Sequence, residues 1–341
     1  MPESLHLHAV ADWQSQLRDA IGSAQQLLDM LGLSADQVGV SEQASRDFPL
    51  KVPMAFARRM RVADPEDPLL RQVLASTEET RQVPGYLRDP VGETGSANPE
   101  QGIIHKYHGR VLLLVTGACA INCRYCFRRH FPYEENQNSR LQWRETLDYI
   151  GRDRSIEEVI LSGGDPLVAN DRLLQELCTR IASFPHVRRL RIHSRLPIVL
   201  PDRVTPGLLD AIAQPRLQTV MVVHSNHANE IDSSVSDAVT AMRERDITVL
   251  NQAVLLRGVN DNTPALVALS ERLFAAGILP YYLHLLDKVA GAAHFDLPEA
   301  RARQLMAQVA ARLPGYLVPR LVREEAGASS KTGLAFNGID R

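Results

Sequence analysis

The sequence has no apolar run that approaches the roughly 20 residues of a membrane-spanning helix. It also lacks a basic N-terminal segment followed by an apolar stretch, which is the pattern of a secretory signal peptide. The formal net charge is only −2, so broad binding to nucleic acid or to a membrane surface is not expected. These absences predict a cytoplasmic protein with no membrane partner and no nucleic-acid partner.

Cysteine is scarce as well, with four residues in a chain of 341. Four cysteines with three of them in one motif do not make a disulfide framework. The separate one, Cys178, lies in a helix-like pattern and is predicted to be a small buried apolar side chain. Hydrophobic residues at 45% and charged residues at 23% are ordinary for a globular enzyme of one large domain or two.

The other three cysteines, Cys119, Cys123 and Cys126, follow an apolar run at 111–115 with the spacing C-x3-C-x2-C. A closed tetrahedral zinc site needs four ligands, and no fourth cysteine is in register. Thiolates also hold iron–sulfur clusters, and three of them leave one iron of a four-iron cubane without a protein ligand. The motif therefore predicts a 4Fe–4S cluster with an open iron. The alternatives are three unrelated loop cysteines or half of a zinc site, which the clustering of three cysteines out of four disfavours.

Residues 1–100 are predicted to form a helical and irregular region that packs on the core. Apolar residues at helical spacing occupy 13–33, whereas 48–53 is predicted to be extended because of its prolines. From 85 to 102 the chain is rich in Pro, Gly, Asp and Asn, which indicates an irregular connector to the core at 101–341.

From residue 110 onward, short apolar strands alternate with helices. The predicted strands are 111–115, 158–162, 189–193, 219–224, 248–255 and 280–285. The predicted helices are 143–151, 170–184, 205–213, 234–245, 263–276 and 298–312. This alternation predicts an α/β fold with a parallel sheet covered by helices, and six units fit a partial (β/α)6 TIM-like barrel.

Working residues of such barrels sit at the C-terminal ends of the strands, and the candidate motifs fall there. In strand order they are the three cysteines, Gly163-Gly164, Ser194-Arg195, His224, Gln252 and Asp287. This agreement between motifs and strand ends predicts one active site.

Two small-residue loops add further candidates. In Ser162-Gly-Gly-Asp165, the glycines let the backbone approach a ligand, although such a pair alone is usually only a turn. In Ser329-Ser-Lys331-Thr, the lysine stands in a loop of small residues, where a lysine is usually a solvated surface residue. A lysine can also be the amine that binds pyridoxal 5′-phosphate (PLP).

The cysteine spacing is the signature of the radical S-adenosylmethionine (SAM) enzymes, and from about 105 to 331 the chain resembles the lysine 2,3-aminomutase family. The matching stretches are 110–114, 119–129, 195–197, 224–227, 251–260, 280–282 and 287–295. The resemblance implies a radical SAM barrel with a C-terminal PLP-binding segment. It also implies an isomerase that uses a 4Fe–4S cluster, SAM and PLP.

The resemblance also implies a role for each matching residue. Cys119, Cys123 and Cys126 would bind the cluster, and Lys331 would be the catalytic lysine that holds PLP. The residues implied to bind SAM are Tyr125, Gly163, Gly164, Asp165, His224 and Gln252. Those implied for the PLP phosphate are Lys106 and Arg110, and those for the substrate are Arg128 at its carboxylate and Asp287 with Glu324 at its ammonium.

The implied reaction converts L-lysine to (R)-β-lysine by 2,3-amino migration, with an electron from a donor such as flavodoxin. The sequence departs from the metabolic members of the family at several positions. Glu324 replaces an aspartate, Ala326-Gly-Ala-Ser-Ser replaces a glycine run, and Asn262 replaces a cysteine. The last change and the end of the chain at Arg341 predict that the family's intersubunit zinc site and the associated tetramer are absent.

These departures resemble the branch whose β-lysine is attached to elongation factor P by a ligase related to lysyl-tRNA synthetase. Two alternatives remain open at this point. One is a metabolic 2,3-aminomutase that acts on lysine or on another amino acid such as glutamate. The other is a non-catalytic iron–sulfur or zinc scaffold.

Overall fold

The computed structural model describes residues 12–93, 97, 102–133 and 140–336, with the backbone alone at 140–142. The predicted boundary between the N-terminal region and the core, at residues 100 and 101, lies outside the described residues. Across the described ranges, no helix is both long enough and apolar enough to cross a membrane.

One open sheet of nine strands dominates the structure, with its strands ordered β1 to β9 as they occur in the chain. The strands are β1 (Ile103–Tyr107), β2 (Arg110–Thr116), β3 (Glu158–Gly163), β4 (Arg189–Ser194), β5 (Gln218–Val223), β6 (Thr248–Val254), β7 (Leu279–His284), β8 (Arg320–Arg323) and β9 (Thr332–Gly333). Strands β2 to β8 are parallel, and the edge pairs β1–β2 and β8–β9 are antiparallel. The α/β class and the partial barrel are confirmed.

The six predicted strands match β2 to β7 within one residue at each end. Strand β8 adds a seventh, because it pairs in parallel with β7 at Leu283 and Leu321. The edge strands β1 and β9 were not predicted. Strand β1 follows the connector without an apolar alternation, and β9 has only two residues, so neither carries a recognisable period.

The helices cover the sheet and form most of the N-terminal region. Their bounds are α1 (Trp13–Arg18), α2 (Ala24–Leu31), α3 (Ala35–Val38), α4 (Glu42–Asp47), α5 (Met54–Ala57), α6 (Pro68–Arg71), α7 (Arg140–Arg152), α8 (Asp171–Ala182), α9 (Leu196–Val199), α10 (Pro206–Ile212), α11 (Ser233–Arg243), α12 (Thr263–Ala275) and α13 (Glu299–Ala310). Side-chain caps begin α8, α10, α11 and α12, as where Asn170 accepts a hydrogen bond from the Leu173 amide at 2.9 Å.

The helical spacing at 13–33 does not produce one helix. The chain leaves the helical path at Ile21, whose backbone forms a bridge with Val52, and α2 restarts with Ser23 as its N-cap. The apolar side chains remain buried on both sides of the break. Tertiary pairing with the extended segment therefore overrides the helical period.

The larger of two apolar clusters in the described residues runs from the N-terminal region into the barrel. It includes Leu27 and Phe56 from the N-terminal helices together with Leu113 and Leu161 from the sheet. Cys178 is fully buried in α8, as predicted. The N-terminal region is thus fixed against the end of the barrel that carries the cysteines.

Candidate active site

The cysteine loop follows β2 and is held by hydrogen bonds with the N-terminal region. The Lys51 ammonium donates a hydrogen bond to the Cys119 carbonyl at 2.9 Å. The Asn122 amide donates to the Lys51 carbonyl at 3.1 Å, and the Arg124 amide donates to the Gln72 carbonyl at 2.9 Å. The loop between the cysteines is therefore clamped at three points, which fixes where its thiols lie.

The side chain of Arg124, between the second and third cysteines, anchors the same loop. It is fully buried and forms two hydrogen bonds with Glu79, at 2.8 and 2.6 Å, and one with the Ala44 carbonyl at 3.0 Å. Arg129 adds a hydrogen bond to Glu79 at 2.8 Å. Sequence reasoning missed Arg124 and Glu79. The only signal in the sequence was the charge of Arg124 inside a motif whose residues must be buried.

The three thiols form a set of donors that can bind a metal as thiolates. Burial raises the pKa of Cys119 well above its usual value, and charges on Cys126 and Asp165 raise it further. Burial and the neighbouring Cys123 raise the pKa of Cys126 to about 11. A bound cationic cluster would reverse these shifts, because a thiolate is the metal-binding form.

Across the described ranges, no three His, Cys, Asp or Glu side chains converge closely enough to hold a single metal ion. The thiolates of a cubane bind different irons and need not converge on one point. The donor set therefore fits a 4Fe–4S cluster better than a single zinc ion.

The glycine pair at the end of β3 is required by the close approach of the cysteine loop. A Cβ on Gly163, whose φ is +127°, would lie 2.4 Å from the Thr116 carbonyl oxygen. A Cβ on Gly164 would lie 2.4 Å from the Ala118 carbonyl oxygen. Both glycines thus have a packing role, and their predicted contact with SAM stays a prediction.

Gly164→Ala is expected to push the cysteine loop away from β3. Overpacking of this kind costs about 1–3 kcal/mol. We therefore expect a lower free energy of unfolding and less iron bound per chain after anaerobic reconstitution. Gly315→Ala is the matched control, because nothing lies within 4 Å of its added Cβ. Wild-type iron content and stability in Gly164→Ala would contradict this account.

Asp165 is buried and its carboxylate is occupied by protein donors. It accepts hydrogen bonds from the Ser194 hydroxyl at 2.7 Å and from the Arg195 and Leu196 amides at 2.8 and 3.1 Å. It also accepts from the Leu167 amide at 3.0 Å. Asp165 therefore ties the end of β3 to the loop after β4, and its predicted contact with SAM stays a prediction.

The other residues predicted for SAM lie on neighbouring strand ends. His224 follows β5, and among the described residues its buried Nε2 has no hydrogen-bond partner. Burial, with the charges of nearby arginines, lowers the pKa of His224 to about 4, so this imidazole is neutral. The Tyr125 ring packs edge-on against Phe295 with centroids 6.4 Å apart, and Gln252 lies in β6. An orphaned buried imidazole nitrogen at the predicted position fits a ligand that supplies a hydrogen-bond partner.

A line of five alternating charges connects the end of the cysteine motif to the C-terminal loop. Lys331 pairs with Glu324 at 2.7 Å. Lys106 lies 3.7 Å from both Glu324 and Glu93. Glu93 pairs with Arg128, whose Nε and Nη2 donate to it at 2.6 and 2.9 Å. The structure thus brings four predicted site residues together and adds one, Glu93, that sequence reasoning missed.

Glu93 occupies the Nε and Nη2 edge of Arg128, which is an edge that can bind a carboxylate through two hydrogen bonds. The remaining nitrogen, Nη1, donates to the Ser162 hydroxyl at 3.0 Å and to the Gly163 carbonyl at 3.3 Å. The predicted contact of Arg128 with a substrate carboxylate therefore requires Glu93 to move. Glu93 lies in the Pro- and Gly-rich connector, where no period singles it out.

Lys331 lies in a polar cage formed by Glu324, Tyr107 and Tyr282. The Glu324 carboxylate also accepts a hydrogen bond from the Tyr107 hydroxyl at 2.5 Å, and the Arg110 guanidinium lies 4.6 Å from the Tyr107 ring centroid. The Lys331 ammonium lies 6.0 Å from the Tyr282 ring centroid. Arg110 therefore lies against the tyrosine that contacts Glu324, and its predicted contact with the PLP phosphate stays a prediction.

Asp287 follows β7 and lies close enough to Lys331 and Glu324 for their charges to affect its pKa. Burial raises the pKa of Asp287 to about 7, while Lys331 lowers this pKa and Glu324 raises it. Burial also acts to raise the pKa of Glu324, but Lys331 and Tyr107 hold it below its usual value. The two carboxylates predicted for one substrate ammonium therefore titrate differently.

Residues 113–269 match the sequence profile of the radical SAM superfamily. Together with the partial barrel and the cysteine loop, this match identifies a radical SAM enzyme.

The chain is 49% identical over 324 residues to L-lysine 2,3-aminomutase of Escherichia coli (strain K12), which covers 95% of this chain and 94% of that protein. It is 46% identical over 332 residues to L-lysine 2,3-aminomutase of Haemophilus influenzae, with 97% and 98% covered. It is 30% identical over 329 residues to L-lysine 2,3-aminomutase of Clostridium subterminale, with 96% and 79% covered. The chain belongs to the lysine 2,3-aminomutase family and is an enzyme of the isomerase type.

Proposed function

We propose that the protein converts L-lysine to (R)-β-lysine by moving the amino group from C2 to C3, with a 4Fe–4S cluster, SAM and PLP. The observation that carries this proposal is the contact between Lys331 and Glu324 at 2.7 Å, with the half-buried Asp287 nearby. The ammonium of Lys331 is the same chemical group as the side-chain ammonium of a lysine substrate. The site therefore already binds an alkyl ammonium through a carboxylate.

The chain's own residues would hold each group. The three cysteines would hold the cluster, Lys331 would carry PLP, and Lys106 and Arg110 would offset the charge of its phosphate. When bound, the cluster and SAM supply a carbon radical, and PLP supplies a conjugated system that delocalises an unpaired electron. The buried surroundings exclude water from such a radical.

Substrate selection follows from the charge of the site. Asp287 and Glu324 favour a cationic side chain and repel a carboxylate such as that of glutamate. Arg128 would bind the substrate carboxylate once Glu93 no longer occupies its Nε and Nη2 nitrogens. Release of Glu93 leaves it close to Lys106, at 3.7 Å, so its charge stays paired.

We further propose that the product serves the modification of elongation factor P through a ligase related to lysyl-tRNA synthetase. Glu324 and the Ser329-Ser-Lys331-Thr loop support this branch, because both differ from the metabolic aminomutases. The electron would come from a low-potential donor such as flavodoxin, and the reaction would take place in the cytoplasm. If the ligase transfers the enzyme's product to elongation factor P no faster than α-lysine, the metabolic role is favoured instead.

The test of the reaction is anaerobic reconstitution with iron, sulfide, PLP and SAM, followed by reduction and separate assays with L-lysine and L-glutamate. Formation of (R)-β-lysine, separated from its enantiomer on a chiral column, is the expected result. Turnover of glutamate alone would overturn the lysine assignment. Zinc without labile sulfide in the purified protein would instead support a scaffold.

Lysine binding should weaken as the pH falls below about 7. The pKa of Asp287 is raised to about 7, so its carboxylate is mostly protonated at pH 6 and mostly ionised at pH 8. A substrate ammonium binds the ionised form, so we expect the Kd for L-lysine to be about tenfold higher at pH 6 than at pH 8. Calorimetric titration of the unreduced holoenzyme measures it.

The matched variant for this titration is Asp287→Asn. It should bind lysine weakly at both pH values and lose the pH dependence. An unchanged pH profile in Asp287→Asn would assign the dependence to another group.

A further inference from the structure

Arg195 lies directly after β4 and is aimed at the cysteine loop. It is buried, and its Nη1 donates a hydrogen bond to the Cys123 sulfur at 2.7 Å. Its Nη2 donates to Gln72 Oε1 at 2.8 Å and to Glu230 Oε2 at 3.0 Å. One guanidinium therefore joins a cysteine of the motif to two side chains that lie outside it.

The two terminal nitrogens of this guanidinium are hydrogen-bonded, whereas its buried Nε has no hydrogen-bond partner among the described residues. Its central carbon lies 5.4 Å from the Phe56 ring centroid and 5.7 Å from the Tyr125 ring centroid, so aromatic rings flank it. Its backbone amide donates to Asp165 at 2.8 Å. The contact with Cys123 is thus enforced by packing and is not one choice of a mobile side chain.

The partners that hold Arg195 are themselves buried and fully bonded. Glu230 Oε1 accepts hydrogen bonds from Gln72 Nε2 at 3.0 Å and from the Asn226 amide at 2.9 Å. Asn226 Nδ2 donates to Gln72 Oε1 at 2.9 Å. A buried polar network of this kind is costly unless every member is satisfied, and here it converges on one arginine beside a sulfur.

We propose that Arg195 is a positioning residue that sets the reduction potential of the cluster through its hydrogen bond to Cys123. The inference rests on the proposed cluster at the three cysteines. In the reduction step the cluster gains one electron from a low-potential donor, which is oxidised, and no bond breaks. A cation and an N–H donor at a ligand sulfur stabilise the more negative, reduced form and so raise the potential. Glu230 works against Arg195, because its negative charge lowers the potential.

The experiment compares midpoint potentials in the reconstituted full chain, by redox titration followed with electron paramagnetic resonance, without lysine or PLP. Arg195→Gln is expected to shift the potential to a more negative value, and Arg195→Lys to shift it less, because the charge remains. Glu230→Gln is expected to shift it in the opposite direction. A merely structural role for Arg195 would not produce shifts of opposite sign.

The matched control is Arg203→Gln. Arg203 is also fully buried, is paired with Asp171 at 2.8 Å and lies 4.2 Å from the Trp13 ring centroid. Its loss removes a buried cation of the same kind without touching a cysteine of the motif, so the potential should stay at the wild-type value.

The outcomes separate this inference from the proposed function. Absence of a cubane signal in the wild-type chain would overturn the proposed function. A cubane in Arg195→Gln with the wild-type potential would overturn the role of Arg195 alone. If Arg195→Gln binds no cluster, Glu230→Gln decides, and an unchanged potential there also overturns it.

Discussion

Cys126→Ala is expected to leave the protein without a 4Fe–4S cluster and without reductive cleavage of SAM. Three thiolates already leave one iron without a protein ligand, and loss of another ligand leaves two. Iron and sulfide content, the resonance spectrum of the reduced protein and the yield of 5′-deoxyadenosine measure the effect.

Cys178→Ala is the control for this substitution. Cys178 is the one remaining cysteine of the chain and is fully buried in α8. Its replacement should cost about 1 kcal/mol of unfolding free energy and leave the cluster intact. Wild-type iron and sulfide in Cys126→Ala would show that this thiol is not a ligand.

Lys331→Ala is expected to remove the visible absorption band of the lysine–pyridoxal linkage and abolish aminomutase activity while the cluster remains. The covalent link requires a primary amine at this position, and alanine has none. The substitution also removes the partner of Glu324 at 2.7 Å, but Tyr107 and Lys106 still stabilise that carboxylate. Absorption spectra with PLP and iron content, recorded on one sample, separate the two sites.

Lys288→Ala serves as its control, because Lys288 is exposed and lies next to Asp287 in the sequence. It should keep both the band and the cluster. Survival of the band in Lys331→Ala would mean that another amine binds PLP.

The sequence could predict what depends on local spacing. The cysteine motif, the strand periods and the small-residue loop of Lys331 all extend over fewer than about ten residues, within the reach of pattern arguments. The predicted strands β2 to β7 were found for this reason. The helical spacing at 13–33 is divided between α1 and α2 because Ile21 pairs with Val52, a contact outside that window.

The residues that sequence reasoning missed depend on distant partners. Tyr107 and Glu324 are 217 positions apart, and Arg124 and Glu79 are 45 apart. Tyr107, Arg124 and Glu79 each have an unremarkable local pattern, because it is the fold that brings their partners to them. The roles of Glu93 and Arg195 became visible only when the topology placed them beside Arg128 and Cys123.

The hydrogen bonds that the N-terminal region makes to the cysteine loop also bear on how the chain matures on the ribosome. Lys51, Gln72 and Glu79 are translated before the thiols that they hold, so their segment is available as soon as the loop emerges. The polar cage around Lys331 is completed last, because the Tyr107 hydroxyl donates a hydrogen bond to Glu324, which is translated 217 residues after it. A nascent chain that stalled before Glu324 would contain every cysteine but would lack both Glu324 and Lys331. Premature termination there would leave Tyr107 without this partner and the chain without the lysine proposed to carry PLP.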